Sequence, residues 1–152
     1  MKIEWGVLAV CFLIVILVAY LGSMFTSKGT NSQWYESIKP KITPPNWVFP
    51  IAWGILFFLI ALSLYFAWTN SGNKKIIIII FAINFILNIL WSLFYFGLKN
   101  PGVAFFNIVL LLISIGSMIF MLWRINLTSS VLLIPYFLWV GFASILNYLS
   151  IK

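Results

Sequence analysis

The sequence predicts an all-α membrane protein, a bundle of five transmembrane helices. Three observations carry this. Of 152 residues, 64% are apolar and 7% are charged, against roughly 45–50% and about 25% in soluble domains. The apolar residues fall into five runs, each near the roughly 20 residues that cross a bilayer core. The nine cations (Lys2, Lys28, Lys39, Lys41, Lys74, Lys75, Lys99, Arg124 and Lys152) sit at the edges of those runs. They form no basic stripe, so the net charge of +7 reads as headgroup anchoring and not as a nucleic-acid surface.

The first run, about residues 5–25, follows Lys2. It is long for a signal-peptide core and no clear small-x-small cleavage site follows, so it is expected to be a retained helix. Residues 26–46 carry Pro40, Pro44 and Pro45 and cannot form one regular helix. They are expected to cap one end of the bundle. The other helices are expected at about 47–68, 76–98, 101–123 and 129–151, all within a single domain spanning 1–152. Their links, residues 69–75, 99–102 and 124–128, are brief and predict antiparallel neighbours, with Pro101 suited to a helix start. Five spans place the termini on opposite sides. Lys2, Lys74, Lys75 and Arg124 then oppose Lys28, Lys39, Lys41, Lys99 and Lys152. Four against five leaves orientation open under the positive-inside rule.

Several chemistries lack their residues. There is no histidine and no aspartate, and Glu4 and Glu36 lie outside the helix centres. Proton relays and cation coupling ordinarily use intramembrane carboxylates or histidines. Zinc sites and haem held by axial histidine lack ligands, and no cofactor is expected. Cys11 stands alone in an apolar run, so no intramolecular disulfide forms.

What remains is indole and amide. Trp5, Tyr20, Trp68 and Trp123 suit an interfacial belt. Trp53, Trp91 and Trp139 lie deeper, and indoles facing inward would make a slot for a planar ring system. Asn84, Asn88 and Trp91 share one face of the third helix by their i, i+4, i+7 spacing. Amides are costly in lipid, so that face should look inward. Asn107, Ser114 and Met118 repeat the pattern on the fourth helix, and Tyr136, Trp139, Ala143 and Asn147 on the fifth. The competing reading of these groups is interhelical hydrogen bonding without any ligand.

The segments Trp34-Tyr35-Glu36-Ser37-Ile38-Lys39-Pro40, Pro44-Pro45-Asn46-Trp47-Val48-Phe49-Pro50 and Trp53 resemble the signature of the TspO/MBR family, the tryptophan-rich sensory proteins and the mitochondrial translocator protein or peripheral benzodiazepine receptor. Leu87-Asn88-Ile89-Leu90-Trp91 and the Pro135-Tyr136-Phe137-Leu138-Trp139 ending, with Phe142-Ala143 and Leu146-Asn147-Tyr148, are similar to further motifs of that family. The likeness runs from about residue 31 to the C-terminus.

The resemblance implies a five-helix bundle, often a homodimer, in contact with membrane lipid, with a pocket beneath the first loop. It implies porphyrins such as protoporphyrin IX, sterol-like lipids and benzodiazepine or isoquinoline-type molecules as ligands. A bacterial cell membrane is the expected location. Carried over position by position, the ligand site comprises Tyr35, Pro44, Trp53, Asn88, Trp91, Trp139, Ala143 and Leu146, to which the inward amides Asn84 and Asn107 are added. Many relatives carry an acid where Asn107 stands. The sterol-recognition pattern is met loosely by Leu146, Tyr148 and Lys152, and no G-x-x-x-G occurs for a dimer seam. Three functions stay open: tetrapyrrole binding or sensing, light-dependent porphyrin breakdown using Trp53 and Trp139, and transport of apolar ligands hinged at Pro135 and the proline-rich loop.

Overall fold

The computed structural model describes residues 3–151, so Lys2 and Lys152 lie outside the described residues. The chain folds as α1 (Trp5–Gly29), α2 (Gln33–Ile38), α3 (Val48–Asn70), α4 (Lys74–Ser92), a π-helical turn (Leu93–Gly97), α5 (Pro101–Trp123), α6 (Leu127–Val131) and α7 (Ile134–Leu149). Five spans are long and apolar enough to cross a membrane: α1, α3, α4 with its π turn, α5, and α6–α7 together. In lipid every backbone polar group must be satisfied within the chain, and helices do this residue by residue.

Side-chain caps set most helix starts. Ser32 Oγ accepts from Tyr35 N at 3.2 Å, Asn100 Oδ1 from Val103 N at 3.1 Å and Asn126 Oδ1 from Ser129 N at 2.9 Å. Pro101 follows its cap directly, where its missing N–H costs nothing.

Three features depart from the sequence expectation. First, α1 continues to Gly29, and residues 33–38 form a helix within the proline-rich cap. The prolines begin only at Pro40, so nothing upstream of them forbids helix. Second, the last span is broken between α6 and α7 at Leu132–Leu133. Pro135 has no N–H to continue the ladder, and Leu133 N turns instead to Ser130 O at 3.1 Å. Third, the short 71–73 link does not make α3 and α4 close partners. The helices close a ring in the order α3, α1, α4, α5, then α6–α7 back to α3, with α3 and α4 touching only lightly.

The core is apolar, built on residues such as Ile60, Ile77, Phe81, Ile108, Ile115 and Val140. The outer face is equally apolar. Leu13, Phe106 and Phe120 are 66%, 75% and 67% exposed, which suits a surface solvated by acyl chains and not by water. Where water cannot solvate polar side chains, they pair. Ser63 and Ser129, both fully buried, each donate a hydroxyl to the other's carbonyl at 2.7 Å and clamp α3 to α6. Asn107 Nδ2 donates to Leu87 O at 2.8 Å and clamps α5 to α4.

Candidate ligand cavity beneath the loop cap

A cavity of about 490 Å³ opens between the C-terminal half of α1, the start of α3 and the end of α4. Its aromatic wall is Phe49, Trp53, Phe57 and Trp91. Its polar wall includes Thr26, Thr30, Asn46, Asn88 and Ser92. Among the described residues no charged side chain lines it. A smaller recess shares Thr26, Thr30, Phe49, Trp53 and Trp91 with it and continues to Tyr35, Tyr95, Ala143, Leu146 and Asn147.

Helical spacing puts the polar wall there. Thr26, in the final turn of α1, and Thr30, its C-cap, are i, i+4, and Asn88 and Ser92 are i, i+4 at the end of α4. Thr26 Oγ1 donates to Gly22 O at 3.1 Å and also lies 3.4 Å from Ser92 Oγ. Asn46 Nδ2 donates to Thr30 O at 3.3 Å, tying the loop to the end of α1.

The π turn sets the far wall. Leu98 N bonds to Leu93 O at 2.7 Å, the i→i+5 pairing that swells one turn of helix, a feature often found at functional sites. It brings Tyr95 back over Trp91, ring centroids 5.5 Å apart and stacked, and sets Phe96 against Tyr35 at 5.6 Å. Lys99 closes the turn with φ of 52°, in the left-handed region. The Tyr35 phenol, on α2 outside the spans, is pushed up from 10 to about 12, chiefly by burial and further by Tyr95 and Glu36. It therefore stays neutral throughout the physiological range.

The structure sorts the sequence-predicted residues into groups. Trp53, Asn88 and Trp91 line the main cavity, and Tyr35, Ala143 and Leu146 the recess. Trp139 is in neither lining: it meets Phe49 edge-on at 6.0 Å and Phe142 at 5.9 Å. Pro44 is half-buried in the loop and lines neither space. Asn107 is engaged with Leu87 O. Asn84 is fully buried, donating to Ser114 Oγ at 3.0 Å and accepting from the Tyr136 hydroxyl at 3.2 Å.

That hydroxyl also accepts from Asn88 Nδ2 at 2.9 Å, so a hydrogen-bonded chain runs Ser114–Asn84–Tyr136–Asn88 from the core to the cavity wall. Asn88 keeps further donor and acceptor capacity for a ligand. Tyr136→Phe is expected to lower stability by about 1–2 kcal/mol, because two buried amides lose a partner at once. Detergent-titrated unfolding followed by circular dichroism would measure it.

Sequence reasoning missed Thr26, Thr30, Asn46, Phe49, Ser92 and Tyr95 as wall residues. Asn46, Phe49 and Ser92 stand inside or beside the motifs, a usable signal. Thr26 and Thr30 carried none once the first helix was expected to end near residue 25.

Spans that bury amides inward and turn hydrocarbon outward define a multi-pass integral membrane protein. A model of the TspO/MBR family matches residues 10–151. Tryptophan-rich protein TspO of Archaeoglobus fulgidus is 38% identical over 143 residues, covering 93% of this chain and 92% of that protein. Tryptophan-rich protein TspO of Chlorobaculum tepidum is 35% identical over 144 residues, covering 93% and 91%. The translocator protein of Ovis aries is 31% identical over 135 residues, covering 85% and 79%. The chain belongs to the TspO/MBR family.

Proposed function

We propose that this protein binds flat apolar molecules in the cavity beneath its loop, porphyrins such as protoporphyrin IX foremost, as part of tetrapyrrole or stress sensing. Sterol-like and benzodiazepine or isoquinoline-type molecules fall in the same chemical class. The observation that carries the proposal is the wall itself: Trp53, Trp91, Phe49 and Phe57 offer ring faces, while Asn88, Thr26 and Ser92 offer neutral polar groups on a single space of about 490 Å³. That volume falls within the roughly 300–1,000 Å³ of small-molecule sites. Ring faces reward a planar polarisable ligand, and neutral hydrogen-bonding groups orient it without demanding a counter-charge.

With no cation among the described residues of the wall, porphyrin carboxylates belong at the rim and not inside. Titration of protoporphyrin IX, read by tryptophan quenching, tests this. Trp53→Ala is expected to weaken binding about tenfold, the scale of one lost aromatic contact. Trp139→Phe is expected to change it less than twofold, because that ring lines neither space and meets the wall through its edge contact with Phe49. Equal loss from both variants, or none from Trp53→Ala, would refute the assignment. The light-dependent reading needs an indole facing the excited ring. Of its two candidates only Trp53 lines the cavity, so Trp53→Phe alone should abolish any light-driven loss of porphyrin absorbance.

A further inference from the structure

At the opposite end of the bundle lies a second space, about 500 Å³, between the N-terminal half of α1, the end of α3 and the start of α4. Val10, Cys11, Leu64, Phe81 and Phe85 make it almost wholly hydrocarbon, and Trp68 stands at its end. It opens sideways to lipid, for Val10, Ile14 and Ile78 on its margin are 53%, 41% and 56% exposed. A groove of this kind gives water no partners. Left empty, it forfeits dispersion contacts along its entire lining.

The mouth carries charge. Lys74 Nζ lies 5.3 Å from the centre of the Trp68 ring and donates to the Trp68 carbonyl. Lys74 and Lys75 occupy the first turn of α4, which holds no acidic residue. Cations at a helix N-terminus add to the positive end of the helix dipole, an unfavourable placement that a bound anion would reverse. Glu4 is at this end, its N–H bonded to the Tyr65 hydroxyl at 3.0 Å, but it is exposed and pairs with neither lysine. Lys74 retains two ammonium N–H groups after its bond to Trp68. Ile77 and Ile78, one turn below Lys74, already line the groove. Charged mouth and hydrocarbon floor are therefore a single helical turn apart.

We propose that this groove holds one acyl chain of an anionic phospholipid whose phosphate rests on Lys74 and Lys75, a lipid site separate from the loop-end cavity.

Native mass spectrometry of the intact protein in nonionic detergent, offered equimolar phosphatidylglycerol and phosphatidylcholine with the same chains, tests it. Wild type is expected to retain one phosphatidylglycerol with about a thirtyfold preference, the scale of two lysines near a lipid phosphate. Lys74→Gln with Lys75→Gln should reduce that preference to near parity. Ala82→Trp, at an exposed position on the groove wall, should abolish retention of both lipids while circular dichroism and elution volume stay unchanged. Equal retention of the two lipids by wild type overturns the proposal. So does lipid retention that survives Ala82→Trp, or an Ala82→Trp variant that converts a dimer to a monomer, which would make the groove a seam between copies.

Discussion

Gly29→Ala is expected to destabilise the protein by about 3 kcal/mol, the upper range for overpacking a tight contact. A Cβ at Gly29 would collide with Phe96 Cδ1 and lie 2.6 Å from Phe96 Cβ. The Phe96 ring cannot swing away cheaply. It packs against Tyr35, Trp91 and Tyr95, and its backbone belongs to the π turn held by Leu98 N to Leu93 O and Asn100 N to Phe94 O. The strain would therefore pass into the recess as well as into the end of α1, and porphyrin affinity should fall with stability. Gly54→Ala is the matched control. Nothing lies within 4 Å of its Cβ position in the second turn of α3, so it should gain about 0.5–1 kcal/mol from helix propensity. Unfolding midpoints of the two variants, measured side by side in one detergent, should move in opposite directions.

Trp91→Ala is expected to have the largest effect on ligand affinity, a loss of at least about tenfold, together with about 3 kcal/mol of stability. Trp91 lines both the main cavity and the recess, and it stacks on Tyr95. Its Nε1 donates to Asn147 Oδ1 at 3.0 Å, and Asn147 Nδ2 in turn donates to Pro101 O at 2.8 Å. One indole thus shapes the cavity and joins α4 through α7 to the start of α5. Trp91→Phe separates the two roles. It keeps a ring face and leaves Asn147 Oδ1 unpaired, so it should retain most affinity while losing about 1 kcal/mol of stability. Porphyrin titration alongside thermal unfolding distinguishes them; equal affinity for wild type and Trp91→Ala would exclude the indole from the site.

Much of this architecture is legible in the chain. Five apolar runs, amides at i, i+4 on the third helix and a proline-rich loop after the first span are local patterns. Hydropathy and the 3.6-residue period read them directly. Asn84, Asn88, Asn107 and Asn147 are all buried, as the cost of an amide in lipid demands. Their individual roles were not legible. Asn84 and Asn107 are taken up by Ser114, Tyr136 and Leu87, partners 20 to 52 residues away in sequence, whereas Asn88 alone of the three also reaches the cavity wall.

The transfer energy of side chains at helical spacing is enough to place the protein in a bilayer, to count its crossings and to say which helix faces turn inward. Packing of the helices was needed to fix the ring order that parts α3 from α4, the π turn that swings Tyr95 over Trp91, and the placement of Trp53 but not Trp139 in the cavity lining. Those depend on how far each helix rotates and slides against neighbours distant in the chain. A rotation of a few tens of degrees moves an indole from the void to the packing layer without altering any local pattern.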